Sequence, residues 1–194
     1  MSSQPASTPD SGTGFTGVAI GLHWLIAAAI IGTFALGLYM HELPLSPQKL
    51  KLYSWHKWAG VTIFLCVLLR LVWRLSHRPP QMPAGMPAWQ RKAAEATHVL
   101  LYLLMFAVPL SGWLMSSAKG FQTVWFGVLP LPDLLDKNQE LGDLLQQVHM
   151  LLNFTMAALV IAHLGAALKH HFIDRDDVLA RMLPFLARTT GDIE

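Results

Sequence analysis

The chain has few charged residues for its length and a single cysteine. Charged residues make up 13% of its 194 residues and apolar residues 53%, a balance too apolar for an ordinary soluble domain. A net charge of +2 without a basic arm argues against nucleic acid as a partner. The lone Cys66 excludes an intramolecular disulfide, and no Cys-x-x-Cys-His segment is present for covalent haem attachment. Any metal ligands must therefore come from the nine histidines.

Residues 1–16 contain no lysine or arginine and no long apolar run. Ser, Pro, Gly and Thr dominate this segment, a composition that buries too little apolar surface to order itself, so we predict a disordered N-terminal tail. No basic residue precedes the first apolar run, which is full length, so the pattern of a cleaved signal peptide is missing. We expect the first helix to be retained.

Four apolar runs are long enough to cross a hydrocarbon core of about 30 Å. They predict an all-α integral membrane protein, a four-helix up-down bundle within residues 17–184, followed by a C-terminal tail at 185–194. The runs cover approximately residues 17–40, 53–76, 95–117 and 147–171.

Between the third and fourth runs, residues 131–147 have the pattern of a short amphipathic helix. Asp133 is placed to cap its N-terminus. We expect this helix to lie at the membrane interface.

Lysine and arginine are divided unequally between the two sides of the predicted bundle, nine against five. Because basic residues favour the cytoplasmic side, we expect a bacterial inner-membrane protein with both termini in the cytoplasm. The richer side carries Arg70, Arg74, Arg78, Arg91, Lys92, Lys169, Arg175, Arg181 and Arg188, and the other side carries Lys49, Lys51, Lys57, Lys119 and Lys137.

Histidines inside the apolar runs are the main functional signal, because imidazoles in a lipid-soluble helix are costly without a role. His149 and His163 are separated by roughly 21 Å along a helix and by about 40° around it, so they share a face at two depths. In an up-down bundle, His56 is level with His149 on the outer side. His23 or His98 is level with His163 on the inner side. Two imidazole pairs from facing helices predict two non-covalent b-type haems in series.

Other residues fit the same stripes. Gly60 leaves room one turn from His56, and Arg70 and Arg74 lie at the depth of the inner site, where an arginine fork suits a haem propionate. The alternative for Arg70 is an interfacial residue that only adds to the charge asymmetry. His170 continues the stripe of His163 and is a candidate quinone and proton contact. Four outer lysines are candidates for steering an anion: Lys49, Lys51, Lys57 and Lys119.

Several segments together resemble the prokaryotic cytochrome b561 family. They are residues 22–25 (Leu-His-Trp-Leu), the His56 to Gly60 spacing, 69–74 (Leu-Arg-Leu-Val-Trp-Arg), 98–104, 163–171 and 181–184. The resemblance covers residues 17–184. It implies that His23 and His163 bind the inner haem and that His56 and His149 bind the outer haem, which selects His23 over His98.

The resemblance also implies transmembrane electron transfer. We expect oxidation of superoxide at the outer face and reduction of ubiquinone within the membrane, a superoxide:ubiquinone oxidoreductase activity. One alternative is an electron-carrier subunit that docks a soluble dehydrogenase or c-type cytochrome without substrate chemistry of its own. Another is a haem-free transporter or assembly factor. Residues 120–147 depart most from the family pattern, which leaves the electron donor open.

Overall fold

The computed structural model of the protein describes residues 14–77, 79–83 and 85–186. Within these ranges the chain forms four long helices and one small hairpin. The helices are α1 (Gly17–Glu42), α2 (Pro47–Ser76), α3 (Ala88–Ala118) and α4 (Gln139–Lys169). The antiparallel strands β1 (Val124–Trp125) and β2 (Leu129–Pro130) form the hairpin between α3 and α4. A π-helical turn, His170–Asp174, follows α4, and a short 3-10 helix, Pro184–Leu186, lies near the C-terminus.

All four helices are long and apolar enough to cross a membrane. The prediction of an all-α protein with four membrane-spanning helices is therefore confirmed. The predicted N-terminal tail lies outside the described residues except for 14–16, where the Thr16 side chain accepts a hydrogen bond from the backbone N–H of Ala19 and caps α1. Most of the predicted C-terminal tail, residues 187–194, also lies outside them.

The prediction of a short amphipathic helix at residues 131–147 is wrong. Helix α4 begins only at Gln139, and the Asn138 side chain, not that of Asp133, accepts the capping hydrogen bond. The preceding residues are tied to their surroundings instead. The Leu131 N–H donates to the Thr123 carbonyl at 2.8 Å, and the Leu134 N–H donates to Ser117 Oγ at 3.2 Å. These tertiary hydrogen bonds replace the local ones that a helix would need.

The buried core is small. Val67 is fully buried and packs with Ile26 and Ile63, whereas Leu104 and Met156 belong to a second buried group. Large apolar side chains cover the outward faces of the helices, with Ile161 72% exposed. In a membrane, lipid solvates these outward side chains, and helix association depends on close packing and internal hydrogen bonds.

The bundle has two distinct ends. At the hairpin end, α1 and α3 finish and α2 and α4 begin. The hairpin packs there on α2, where Trp58 Nε1 donates to the Val124 carbonyl at 2.6 Å and Trp125 Nε1 to Thr62 Oγ1 at 3.3 Å. The hairpin end corresponds to the predicted outer side.

At the opposite end, called the tail end, the segment after α4 folds back onto the bundle. Trp24 Nε1 donates to the Met182 carbonyl at 2.9 Å, and the Arg181 guanidinium donates to the Gln81 carbonyl. These contacts join the segment after α4 to α1 and to the connector between α2 and α3. The tail end corresponds to the predicted inner side.

Helix packing is uneven around the bundle. α4 packs closely on α3, and α1 packs closely on α2, but α4 approaches α1 and α2 much less closely. Side chains bridge these wider gaps, as where Phe34 meets Phe154 with ring centroids 5.8 Å apart. The histidines described below face one another across these same gaps.

Candidate functional site

The first histidine pair lies at the hairpin end. The rings of His56 on α2 and His149 on α4 face each other with centroids 6.3 Å apart and planes at 82°. Gly60 lines the cavity between them, and a Cβ atom added at Gly60 would meet no atom within 4 Å. Gly60 therefore leaves open space beside the two rings, as its position one turn from His56 predicted.

Helix α3 holds the His149 ring in place. Nδ1 of His149 lies 3.1 Å from the Val108 carbonyl oxygen and 3.0 Å from Ser111 Oγ. The Ser111 hydroxyl itself donates to the Val108 carbonyl at 2.8 Å. Gly112 allows this approach, because a Cβ atom there would lie 3.0 Å from Cε1 of His149.

His56 is held differently. Its Nδ1 is buried and has no hydrogen-bond partner among the described residues. A Cβ atom at Gly37 on α1 would lie 3.3 Å from Cε1 of His56, so glycine admits the ring at this position. Packing, with a weak contact to the Thr33 backbone, fixes this imidazole.

The second histidine group lies at the tail end and has three members. His23 on α1 and His163 on α4 have ring centroids 6.3 Å apart, the same separation as the hairpin-end pair. His98 on α3 is also close to His163, at 5.3 Å. His163 therefore lies between two imidazoles, which are the two alternatives that depth along the helices had left open.

Two arginines of α2 lie beside the tail-end histidines. Arg70 Nε donates to Tyr102 Oη at 3.1 Å, and its Nη1 donates to the Ala19 carbonyl at 3.3 Å. The Arg74 guanidinium lies 5.5 Å from the centre of the Tyr102 ring. Arg70, Arg74 and Tyr102 line one cavity that opens at the tail end, and Arg70 is close enough to act electrostatically on His23 and His163. The tail-end site is thus the more positively charged of the two.

His170 lies just beyond α4 and contacts two carboxylates. Its Nδ1 is 2.6 Å from Asp176 Oδ2 and 3.3 Å from Asp174 Oδ2. Lys169 Nζ also binds Asp174, at 2.6 Å. His170 is therefore oriented by acidic partners at the tail end, and its Nε2 is the ring nitrogen that these contacts leave for another ligand.

The four predicted steering lysines are mostly engaged in structural contacts. Lys49 Nζ donates to the carbonyls of His41 and Leu43, and Lys57 Nζ donates to the Phe121 carbonyl at 2.8 Å. Neither contact neutralises the lysine charge, because both are with neutral carbonyls, but Asp133 also acts electrostatically on Lys57.

The other two lysines differ from each other. Lys119 Nζ forms an ion pair with Asp143 at 3.0 Å. Lys51 is exposed and lies 5.1 Å from the centre of the Trp55 ring. Lys119 is therefore the weakest candidate for attracting an anion.

The sequence matches a known protein family. The sequence model of the family described as prokaryotic cytochrome b561 matches residues 14–185. The chain belongs to the prokaryotic cytochrome b561 family. It is therefore a multi-pass membrane protein of a family that transfers electrons across membranes and normally binds haem b. The resemblance noted in the sequence is confirmed.

Individual relatives agree with the family. This cytochrome is 36% identical to cytochrome b561 homolog 2 of Escherichia coli over 86% of its length and 89% of the relative. It is 31% identical to cytochrome b561 homolog 1 of the same organism, over 88% and 97% of the two chains. It is 29% identical to a probable superoxide oxidase, CybB, of Yersinia pestis, over 85% and 93%.

The histidine pairs fit haem b. A metal–imidazole bond of about 2 Å, together with about 1 Å from ring nitrogen to ring centre, places two ring centres roughly 6 Å apart across one metal. The pairs His56–His149 and His23–His163 both have this separation, at 6.3 Å. The open space at Gly60 and the arginines at the tail end suit a macrocycle and its propionates.

The contribution of α3 at the hairpin end was not predicted from the sequence. Ser111 lies within hydrogen-bond distance of His149, and Gly112 leaves room for its ring. A polar residue and a glycine side by side within an apolar run are a detectable signal, because such residues gather at helix–helix contacts in membranes.

Proposed function

We propose that this cytochrome holds two haem b groups and passes electrons between them across the membrane. His56 and His149 bind the iron of the hairpin-end haem, and His23 and His163 bind that of the tail-end haem. The observation that carries this proposal is the equal separation, 6.3 Å, of two imidazole pairs at two depths of one bundle. His98 is then a neighbour of the tail-end site and not a ligand.

Arg70 and Arg74 are the proposed partners of the tail-end propionates. Both line the tail-end cavity, and a guanidinium forms paired hydrogen bonds with a carboxylate. The hydrogen bond from Arg70 to Tyr102 keeps the guanidinium beside the histidines. Gly60 leaves room for the hairpin-end macrocycle.

The four imidazoles also define the kind of reaction. Haem b supplies one-electron chemistry when it is bound. With two histidines holding each iron, no position would be left for direct coordination of a substrate, so electrons would enter and leave by outer-sphere transfer. Two superoxide anions lose one electron each and become dioxygen, and these two electrons with two protons reduce one ubiquinone to ubiquinol.

Superoxide as the donor is supported by the name of the Yersinia pestis relative and by the basic hairpin end. Lys49, Lys51 and Lys57 keep their positive charge there and attract an anion over a distance of about one Debye length. Lys119 contributes least, because Asp143 neutralises it.

Ubiquinone reduction is assigned to the tail end, near His170. This imidazole lies beyond His163 on the same helical stripe, and Asp176 and Asp174 orient its Nδ1. An imidazole hydrogen-bonded to carboxylates can act as a proton relay, so His170 is placed to contact the quinone and to supply its protons.

The proposed orientation puts the tail end in the cytoplasm of a bacterium and the hairpin end outside. Within the described residues, seven lysines and arginines lie at the tail end or in the segments beside it, against five at the hairpin end. Reporter fusions at both termini test this orientation, and a C-terminal reporter active only outside the cytoplasm would reverse it.

A second candidate function is an electron carrier that docks a soluble redox protein. The hairpin favours it, because Val128 is 83% exposed and Phe121 and Phe126 are also exposed at this end. Exposed apolar side chains at a polar end suit a protein partner.

Quinone reduction under a superoxide flux separates the two functions. Purified protein in detergent is supplied with superoxide and a soluble ubiquinone analogue, and quinol formation is followed. Faster quinol formation than with His149→Ala supports the oxidoreductase, whereas equal rates favour the carrier. His170→Ala is expected to slow quinone reduction at an unchanged haem content, with His171→Ala as the matched control.

A further inference from the structure

Two groups of α3 orient His149, although α3 supplies no axial ligand to the proposed hairpin-end haem. The Val108 carbonyl and Ser111 Oγ both lie within hydrogen-bond distance of Nδ1 of His149. A carbonyl can only accept, so the ring proton is on Nδ1. The lone pair is therefore on Nε2, which is the form of the imidazole that binds a metal.

Ser111 strengthens this arrangement. Its hydroxyl proton is directed to the Val108 carbonyl at 2.8 Å, so its oxygen is left to accept from the His149 ring. Ser111 is 6% exposed, and hydrogen bonds in such a low-dielectric interior are stronger than they would be in water. The ring of His149 is thus fixed in tautomer and in direction before any ligand binds.

His56 has weaker support. Its buried Nδ1 has no well-formed hydrogen bond within the part of the chain that the structure describes. The backbone of Thr33 on α1 acts on this ring only as a long or poorly aligned hydrogen bond. This weak contact and packing against α1, where Gly37 admits the ring, hold the imidazole in direction.

We propose that Ser111 is a positioning residue that makes His149 the anchored ligand of the hairpin-end haem, and that His56 is the releasable one. Loss of His56 then leaves the haem bound and opens one coordination position to a small neutral ligand, whereas loss of His149 releases the haem. The inference rests on the proposed haem at this end. Hydrogen bonds to the far side of a metal-bound imidazole typically change metal affinity by about 10- to 100-fold.

The first test compares His56→Ala with His149→Ala in the full-length protein in detergent. Haem per chain is measured, and carbon monoxide is added to the dithionite-reduced protein as a probe of an open position. We expect His56→Ala to retain the hairpin-end haem and bind one carbon monoxide, and His149→Ala to lose that haem. Equal loss in both variants, or the reverse order, overturns the proposal.

The second test removes the support and leaves both ligands. Ser111→Ala is compared with Ser116→Ala. The second variant deletes another buried hydroxyl of α3, one that donates to the Phe121 carbonyl at the hairpin end. Transfer of haem to excess apomyoglobin is followed, with the tail-end haem as an internal sign of correct folding. We expect one of the two transfer phases to become roughly tenfold faster in Ser111→Ala only.

Unchanged transfer in Ser111→Ala overturns the role of Ser111, including in the case where both histidine variants fail to fold. The outcomes also separate this inference from the proposed function. A wild-type protein without haem defeats the proposed function. A wild-type protein with two haems but symmetric behaviour of His56 and His149 defeats only the present inference.

Discussion

The two ends of this cytochrome place similar imidazole pairs in different surroundings. At the hairpin end, one ring donates hydrogen bonds to neutral groups of α3, and the other ring is held mainly by packing. At the tail end, a third histidine and two arginines surround the pair, and Arg70 is fixed by Tyr102. The same ligand spacing thus occurs once beside uncharged groups of α3 and once beside two arginines of α2.

This difference has a direct electrostatic consequence. A positive charge near a haem favours the reduced form, which carries one positive charge less. The tail-end haem should therefore have the higher reduction potential, and electrons that enter at the hairpin end should move toward the tail end. Lys57 is the basic residue nearest in sequence to His56, and the Phe121 carbonyl holds its ammonium group.

The largest expected effect concerns the third tail-end histidine. His23→Ala should reduce the haem content from two per chain to about one, because it removes a ligand, whereas His98→Ala should keep two. Haem and protein are measured on the same purified samples. Retention of both haems in His23→Ala together with loss of one in His98→Ala would reassign the ligand to α3.

The charge difference is tested at Arg70. Arg70→Ala should lower the potential of the tail-end haem by roughly 60 mV, a tenfold change for a one-electron couple, and leave the hairpin-end haem unchanged. Spectroscopic redox titration measures the reduction potentials of the two haems separately. Arg70→Lys should lower the reduction potential of the tail-end haem only slightly, because the positive charge is retained. Arg91→Ala should leave this potential unchanged, since Arg91 donates to the Met86 carbonyl away from the site. A shift of both haems would contradict the assignment.

The packing difference is tested at two glycines. Gly112→Ala places a Cβ atom 3.0 Å from the hydrogen-bonded ring of His149. Gly37→Ala places one 3.3 Å from the ring of His56, whose Nδ1 has no well-formed hydrogen bond among the described residues. Since the anchored ring cannot move aside, Gly112→Ala should cost about 1–3 kcal/mol and Gly37→Ala less. Thermal unfolding in detergent measures both.

Gly165→Ala on α4 is the control for helix propensity, because its added Cβ would meet no atom within 4 Å. This substitution should leave stability unchanged or raise it slightly. An equal loss at Gly37 and Gly112 would show that the two rings are equally constrained.

The smallest expected effect concerns the lysines of the hairpin end. Lys51→Ala should reduce the rate with superoxide by less than about threefold at low ionic strength, and added salt should remove the difference. Lys119→Ala should have no comparable effect, because Asp143 already pairs with it. A larger loss from Lys119→Ala would point to a role in positioning α4.

Much of the bundle could be predicted from the sequence, because helix periodicity and membrane thickness are local constraints. They gave the four helices and the common face of His149 and His163, and the structure places His56 near His149 and His23 near His163. Depth along a helix could not choose between His23 and His98, since both lie close to His163. That choice depends on which side of α4 each neighbouring helix occupies.

The segment between α3 and α4 was mispredicted for a related reason. Its apolar residues are spaced as in a short amphipathic helix, but its backbone N–H groups donate to Thr123 and Ser117, which lie beyond and at the end of α3. The same holds for Ser111, which reaches His149 only through the packing of α3 on α4. Contacts of this kind have no periodic signature.

Haem stoichiometry tests the central claim most directly. Haem b and protein are determined on the full-length protein purified in detergent, for the wild type and for His163→Ala. The two-site account predicts two haems per chain in the wild type and about one in the variant, with the hairpin-end haem retained. A wild-type protein with one haem or none, or a His163→Ala variant that keeps two, would contradict it.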